Sequence, residues 1–74
     1  MTKLQFTAII EREAEGFVAL CPELDIASQG KSVEEARQNL VEAVELFYEM
    51  ADPSEAANRL HGDIFVTRLE VAVG

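Results

Sequence analysis

The chain has 74 residues, 49% of them hydrophobic, with a formal net charge of −8 and one cysteine. This length leaves room for one domain, residues 1–74, without a linker or a repeat. One cysteine excludes a disulfide framework, and the acidic balance argues against a domain that itself grips a nucleic-acid backbone.

The first residues and the size of the chain predict the cellular compartment and the oligomeric state of the protein. The opening sequence MTKLQFTAII lacks the apolar core and cleavage site of a signal peptide. No apolar run approaches the about 20 residues of a membrane span, so we expect a cytoplasmic protein with a reduced thiol. A domain this small buries only about 60% of its unfolded surface, which favours a homo-oligomer, either a dimer or a tetramer.

The first two predicted strands form a hairpin. Apolar residues stand at every second position from Leu4 to Ile10, a period of two that predicts a half-buried strand. The polar residues Glu13–Gly16 predict a turn in which Gly16 is free to take a positive φ. The apolar run Phe17–Cys21 predicts a strand in the middle of a sheet or covered on both faces.

A second turn and a short third strand lead into the main helix. Pro22–Asp25 predicts the turn, because proline does not continue a central strand, and Ile26–Gln29 predicts a strand that ends at Gly30. The sequence SVEE that follows is a capping box. In it the Ser32 hydroxyl accepts from the N–H of Glu35, whose carboxylate reaches back to the N–H of Ser32.

The helix has one apolar side and one acidic side. At about 100° per residue a single arc holds the expected core stripe, Val33, Ala36, Leu40, Ala43, Val44, Phe47 and Ala51. Pro53 interrupts the helix and predicts a second helical piece, which runs from Pro53 to Leu60. We expect His61 to stabilise the C-terminal end of that piece.

The last ten or so residues predict a long final strand, Ile64–Val73, with Phe65, Leu69, Val71 and Val73 on one face. The predicted fold is therefore α+β with the order β-β-β-α-β. A right-handed crossover from the helix gives a four-stranded mixed sheet in the order 3-2-1-4, with the helix on one face. Because a long apolar edge strand invites pairing, we expect Phe65, Leu69 and Val71 to form the oligomer interface.

Several short motifs stand in register along the chain. Pro22-Glu23-Leu24 follows a strand, Gln29-Gly30 precedes the helix, and the C-terminus carries Leu69-Glu70-Val71-Ala72-Val73. Within the helix stand Glu34-Glu35-Ala36 and Leu40-Val41-Glu42-Ala43-Val44-Glu45. Together these motifs resemble the HicB-like antitoxin family over nearly the whole chain.

This resemblance implies a degenerate ribonuclease-H-like fold and a role in a type II toxin–antitoxin pair. The expected protein is not an enzyme and needs no cofactor; it binds a small basic RNA-cleaving toxin of the HicA kind and blocks its active site. Many family members add a C-terminal DNA-binding domain, for which 74 residues leave no room, so we expect no direct nucleic-acid binding by this domain.

Catalytic and metal sites are not expected from the residues. Glu11, Asp25 and Glu70 are the candidate carboxylates for two-metal phosphodiester hydrolysis, which needs several acids around paired ions. They stand at strand ends or among apolar neighbours. We therefore interpret the three carboxylates as charges in solvent at the edge of the sheet and not as metal ligands. Cys21, before Pro22 at the end of an apolar strand, is expected to be a small buried hydrophobe and not a nucleophile.

The acidic side of the helix is the candidate partner-binding surface. Residues 32–58 hold seven acids and one base, a net −6 of the chain's −8. Glu42, Glu45 and Glu49 with the neighbouring Leu46 have the character of an interface for a basic toxin. The alternative interpretation of these charges is a helix face that is simply solvated. The alternative functions are a stand-alone oligomeric scaffold, a ligand-binding module or a residual metal-dependent nuclease.

Overall fold

The computed structural model describes residues 3–60 and 62–74. In chain order its elements are β1 (Ile9–Glu13), β2 (Gly16–Cys21), β3 (Ile26–Gly30), α1 (Val33–Met50) and α2 (Pro53–Arg59). The strands form one antiparallel sheet in the order β1-β2-β3, which confirms the central place predicted for the second strand. The helix α1 packs mainly on β3 and β2 and only touches β1.

The predicted four-stranded, ribonuclease-H-like sheet in the order 3-2-1-4 is wrong. The sheet has three antiparallel strands, and residues 62–74, here called the C-terminal arm, form neither helix nor strand. Every residue of the arm is exposed. A strand needs a neighbour for its N–H and C=O groups, and among the described residues no backbone hydrogen bond joins the arm to the sheet.

The first strand lies further along the chain than its alternation predicts. Its register pairs Ile9 with Leu20, so a continuation of the pairing would set Thr7 opposite Pro22, just beyond the end of β2. Proline has no N–H to contribute to a ladder. The N–H of Thr7 instead donates to both carboxylate oxygens of Glu23, at 3.1 and 3.0 Å. Residues 3–8, here called the N-terminal segment, are therefore tied to the β2–β3 turn by a side chain.

The β1–β2 turn takes its positive φ at a residue other than the predicted one. Ala14 has a φ of 52°, and none of the described glycines has a positive φ. Gly16 is required for space instead, because a Cβ there would lie 2.9 Å from the carbonyl oxygen of Gly30. The absence of a side chain thus lets β2 approach the end of β3.

The helix α1 begins as predicted, with one difference in the capping box. The Ser32 hydroxyl accepts from the N–H of Glu35 at 3.0 Å, which confirms the N-cap. The Glu35 carboxylate, however, accepts from the N–H of Lys31 at 2.6 Å and not from that of Ser32. Both hydrogen bonds fix the direction in which the chain enters the helix.

The second helical piece is confirmed, with Pro53 as its first residue. Asp52 is its N-cap, and one Asp52 carboxylate oxygen accepts from the N–H of Glu55 at 2.8 Å. This hydrogen bond holds the pKa of the Asp52 carboxyl below its usual value. The capping role expected of His61 lies outside the described residues. Neither helix in the described part of the chain is long and apolar enough to cross a membrane.

The buried core is small and lies between the sheet and α1. Its buried members are Ala19, Cys21, Leu24, Ala36 and Leu40. The apolar stripe of α1 faces this core as predicted, except that Val33 in the first turn is 42% exposed. The larger stripe residues Val44 and Phe47 are only partly buried, so the core is open along the later turns of the helix.

Candidate functional site

The predicted partner-binding residues lie together on the solvent side of α1. Glu42, Glu45, Leu46 and Glu49 are all exposed, with Leu46 at 57%. We call these four residues the acidic helix surface. Met50, one turn beyond Leu46, is also exposed, so an apolar pair lies among the carboxylates. Such a mixture of apolar centre and charged rim is typical of protein-binding surfaces.

The sheet holds α1 closely, and so fixes the direction of the acidic helix surface. A Cβ on Gly30 would lie 2.5 Å from the backbone nitrogen of Ala36, so the helix backbone rests directly on the end of β3. One turn later, the Asn39 side-chain amide donates to the carbonyl oxygen of Gln29 at 2.8 Å. These two contacts place the helix over β3 and leave its acidic side in solvent.

Arg59 fastens α2 to the β2–β3 turn. Its Nε donates to the Leu24 carbonyl oxygen at 2.7 Å, and its Nη2 donates to that of Asp25 at 3.1 Å. Its guanidinium also lies 5.7 Å from the centre of the Phe47 ring. We did not predict this role, since the partners are 34 and 35 residues away and no local pattern marks them. The contact fixes the position from which the C-terminal arm departs.

A second polar cluster joins the N-terminal segment to the β2–β3 turn. The Thr7 hydroxyl donates to Glu23 at 2.7 Å, in addition to the two hydrogen bonds from its N–H. Burial alone would raise the pKa of the Glu23 carboxyl, but the hydrogen bonds from Thr7 outweigh it and hold that pKa below its usual value. The carboxylate therefore stays ionised and serves as an acceptor.

Cys21 lies beside this cluster and has no exposed surface. Its Sγ lies 3.6 Å from a Glu23 oxygen. Burial raises the pKa of the Cys21 thiol, and the hydrogen bond to Glu23 and its charge add to the effect. A protonated, inaccessible thiol is a poor nucleophile, as expected of a buried hydrophobe.

An open groove runs between the N-terminal segment and α1, with a volume of about 790 Å³. Leu4, Phe6, Val41, Val44 and Tyr48 supply its apolar lining. The rings of Phe6 and Tyr48 lie 6.0 Å apart between centroids. Lys3, Arg37 and Glu45 add charges to the lining. The groove is thus the uncovered side of the small core.

The three candidate carboxylates for metal chemistry belong to separate parts of the molecule. Glu11 is in the middle of β1, Asp25 is in the β2–β3 turn, Glu70 is in the C-terminal arm, and all three are exposed. Within the described ranges, no group of three or more His, Cys, Asp or Glu side chains is placed to hold a metal ion. The arrangement does not provide the converging acids of a two-metal site.

The predicted oligomer-interface residues lie on the C-terminal arm. Phe65 and Leu69 are 86% and 78% exposed, and Val71 is exposed as well. Their surface is apolar, but it belongs to an unpaired extended segment and not to the edge of the sheet.

Comparison with curated proteins finds two relatives of similar size. The chain is 36% identical over 66 residues to a UPF0150 protein of Helicobacter pylori, an alignment that covers 88% of this chain and 92% of the relative. It is 46% identical over 46 residues to a UPF0150 protein of Synechocystis sp., covering 60% of this chain and 58% of that one. No family model matches the chain. No solved structure matches it either.

Proposed function

This chain belongs to the UPF0150 family, and from that premise and its acidic helix surface we propose that it is an antitoxin-like binding protein. Its partner is a small basic RNA-cleaving toxin of the HicA type, which it sequesters and inhibits in a type II toxin–antitoxin pair. Family membership alone does not name a partner. The antitoxin role rests in addition on the motifs from Phe17 to Glu49, which resemble those of HicB-like antitoxins. It assigns no catalytic role to the chain.

The observation that carries the proposal is the composition of the acidic helix surface. Three carboxylates, those of Glu42, Glu45 and Glu49, lie exposed around Leu46 on an 18-residue helix about 27 Å long. A large exposed aliphatic side chain among charges provides a centre that a partner can desolvate, while the carboxylates form a rim.

Electrostatics favour a partner that binds nucleic acid. A toxin that cleaves RNA presents lysine and arginine side chains to phosphates, and the same positive surface attracts a protein with a net charge of −8. Complementary charge mainly raises the association rate and selects the partner, whereas apolar contacts slow dissociation. Leu46 and Met50 supply such contacts here.

The direct test is inhibition. The purified chain is titrated into the small basic ribonuclease encoded beside its gene, and cleavage of a labelled RNA is followed together with complex formation. We expect cleavage to stop when the two proteins reach their binding stoichiometry. Unchanged cleavage with no complex contradicts the proposal, and so does the lack of any basic reading frame beside the gene.

A stand-alone oligomeric scaffold is the second candidate, and the open groove with the exposed C-terminal arm favours it. In that case the apolar arm surface serves association between copies, and no toxin is needed. A complex with the neighbouring basic protein separates the two candidates, because a scaffold of this kind forms none.

A further inference from the structure

The N-terminal segment lies on the body of the protein without joining its sheet. Residues 3–8 are in neither a helix nor a strand, and β1 begins only at Ile9. Among the described residues, the hydrogen bonds that join this segment to the body are the three from Thr7 to Glu23. A segment that is held at one residue can detach while the β1–β2 ladder stays intact.

Apolar contacts add little to this attachment. Phe6 is the one apolar side chain of residues 3–8 that is partly buried, and it packs against the core with its ring 6.0 Å from that of Tyr48. The other apolar side chains of the segment are exposed, Leu4 at 58% among them. Since local stability follows the number of buried apolar contacts, the segment is among the parts of the fold that cost least to open.

Cys21 lies next to the point where the N-terminal segment is attached. It is the one cysteine of the chain and has no exposed surface, although it lines the groove together with Thr7 and Leu40. Its Sγ lies 3.6 Å from Oε1 of Glu23, an oxygen to which the Thr7 N–H also donates. The carboxylate that holds the segment is therefore also a direct neighbour of the buried thiol.

We propose that the N-terminal segment is a lid over the groove and over Cys21, held closed by the contact between Thr7 and Glu23. The lid turns away about Ala8, the residue before β1, while the sheet and α1 stay folded. In the closed form the thiol is inaccessible. In the open form the groove extends to Cys21, and small dissolved molecules reach its sulfur.

The lid and the body are stabilised by different residues, which makes lid opening distinguishable from global unfolding. Cys21 and Gly30 lie at opposite ends of the β2–β3 ladder, and Ser32 caps α1 just beyond Gly30. Loss of the Ser32 hydroxyl weakens the closed and the open form equally, because both contain α1. Loss of the Thr7 hydroxyl weakens the closed form alone, because its hydrogen bond to Glu23 is absent from the open form.

The rate at which an aromatic disulfide reagent labels Cys21 in the folded full chain tests the lid, since each reaction releases a coloured thiolate. We expect labelling at least about tenfold slower than in the chain unfolded by urea, with a rate that rises far less steeply with urea than global unfolding does. Thr7→Val should speed labelling about fivefold, and Thr7→Ser, which keeps the donor, less than about twofold. An unchanged rate in Thr7→Val overturns the proposal.

Ser32→Ala is the matched control, because it also removes one hydroxyl that makes a hydrogen bond to or from the backbone or a side chain. We expect it to lower the midpoint of urea unfolding but to change the labelling rate less than about twofold. Equal acceleration by Ser32→Ala and Thr7→Val means that only global unfolding exposes Cys21, and it overturns the proposal.

Two measurements on the unmodified chain test the lid without any variant. Hydrogen exchange of the Thr7 N–H, followed by NMR, should give the same opening constant as the labelling of Cys21 within about threefold, because one event releases both groups. Much faster exchange means that the segment detaches without exposing the thiol, which overturns the proposal. A labelling rate that rises with urea as steeply as global unfolding overturns it as well.

Discussion

The Thr7 hydroxyl donates to a Glu23 carboxylate oxygen at 2.7 Å. At this point the Glu23 side chain, and not the backbone of a neighbouring strand, holds the N-terminal segment. The two residues are 16 positions apart, on either side of the β1–β2 hairpin. Because the Thr7 N–H donates to the same carboxylate, the N-terminal segment leaves the sheet but stays against the body. This interaction helps to hold the N-terminal segment, which lines one side of the groove.

Glu23 makes stability depend on pH in a defined direction. The hydrogen bonds from Thr7 hold the pKa of the Glu23 carboxyl below its usual value in the folded chain, so the carboxylate stabilises the fold fully at pH values above the usual glutamate pKa. That contribution disappears as the pH falls through the lower folded pKa. We expect Glu23→Gln to lose stability at neutral pH and to show a weaker decline on acidification, measured by urea unfolding at a series of pH values.

Thr7→Val separates the hydroxyl from the backbone donor in the same cluster. The variant keeps the N–H hydrogen bonds to Glu23 and removes only the hydroxyl, so we expect an effect between those of wild type and Glu23→Gln. Thr7→Ser keeps both the hydroxyl and the N–H donor and is the matched control, with little expected change. If Glu23→Gln reproduces the wild-type pH profile, the carboxylate does not have the stabilising role assigned to it.

Ala14 is held in the left-handed region that L residues avoid. At a φ of 52° its Cβ crowds the backbone, which costs roughly 1–2 kcal/mol, whereas glycine adopts this φ without a clash. Since glycine also makes the unfolded chain freer, we expect Ala14→Gly to raise the free energy of unfolding by a net of roughly 0.5–1 kcal/mol. Ala57→Gly, in the interior of α2, is the control and should lower it by about 1 kcal/mol. A loss of stability in Ala14→Gly would contradict the strained turn.

Gly30 is the point where the sheet and α1 meet without a side chain between them. A Cβ there would lie 2.5 Å from the nitrogen of Ala36 and 2.8 Å from the Glu35 carbonyl carbon. Both are backbone atoms, so the helix must move to admit it. We expect Gly30→Ala to destabilise the fold by on the order of 2–4 kcal/mol in thermal or urea unfolding. Gly62→Ala meets open space and is the matched control, with little expected change.

Features fixed by a few neighbouring residues were predictable from the sequence. The Ser32 N-cap, the Pro53 start of α2 and the central position of β2 depend on local spacing and hydropathy. The exposure of the acidic helix surface follows in the same way from the helical period.

Features fixed by distant partners were not predictable. The alternation of Leu4–Ile10 indicates a strand, but its register depends on Pro22 and on the carboxylate of Glu23, which no local pattern connects to it. The alternation of the C-terminal arm likewise indicates a strand. A strand forms only where its backbone can pair with the edge of a sheet, and in this structure the arm does not lie against an edge of the β1-β2-β3 sheet.

Charge reversal on α1 tests whether the acidic helix surface recruits a basic partner. Glu42→Lys with Glu49→Lys changes the net charge from −8 to −4 and leaves Glu45, which also lines the groove, unchanged. We expect association with the basic toxin to slow and its dependence on salt to flatten, since steering depends on complementary charge. Stopped-flow binding at several ionic strengths measures both quantities.

The matched control places the same charge change elsewhere on the body. Glu13→Lys with Glu15→Lys alters exposed residues at the β1–β2 turn and also gives a net charge of −4. If only total charge matters, the two double variants slow association equally, and the helix carboxylates then serve solubility. A larger effect of the α1 pair assigns the encounter to the acidic helix surface, because the total charge is identical in the two variants.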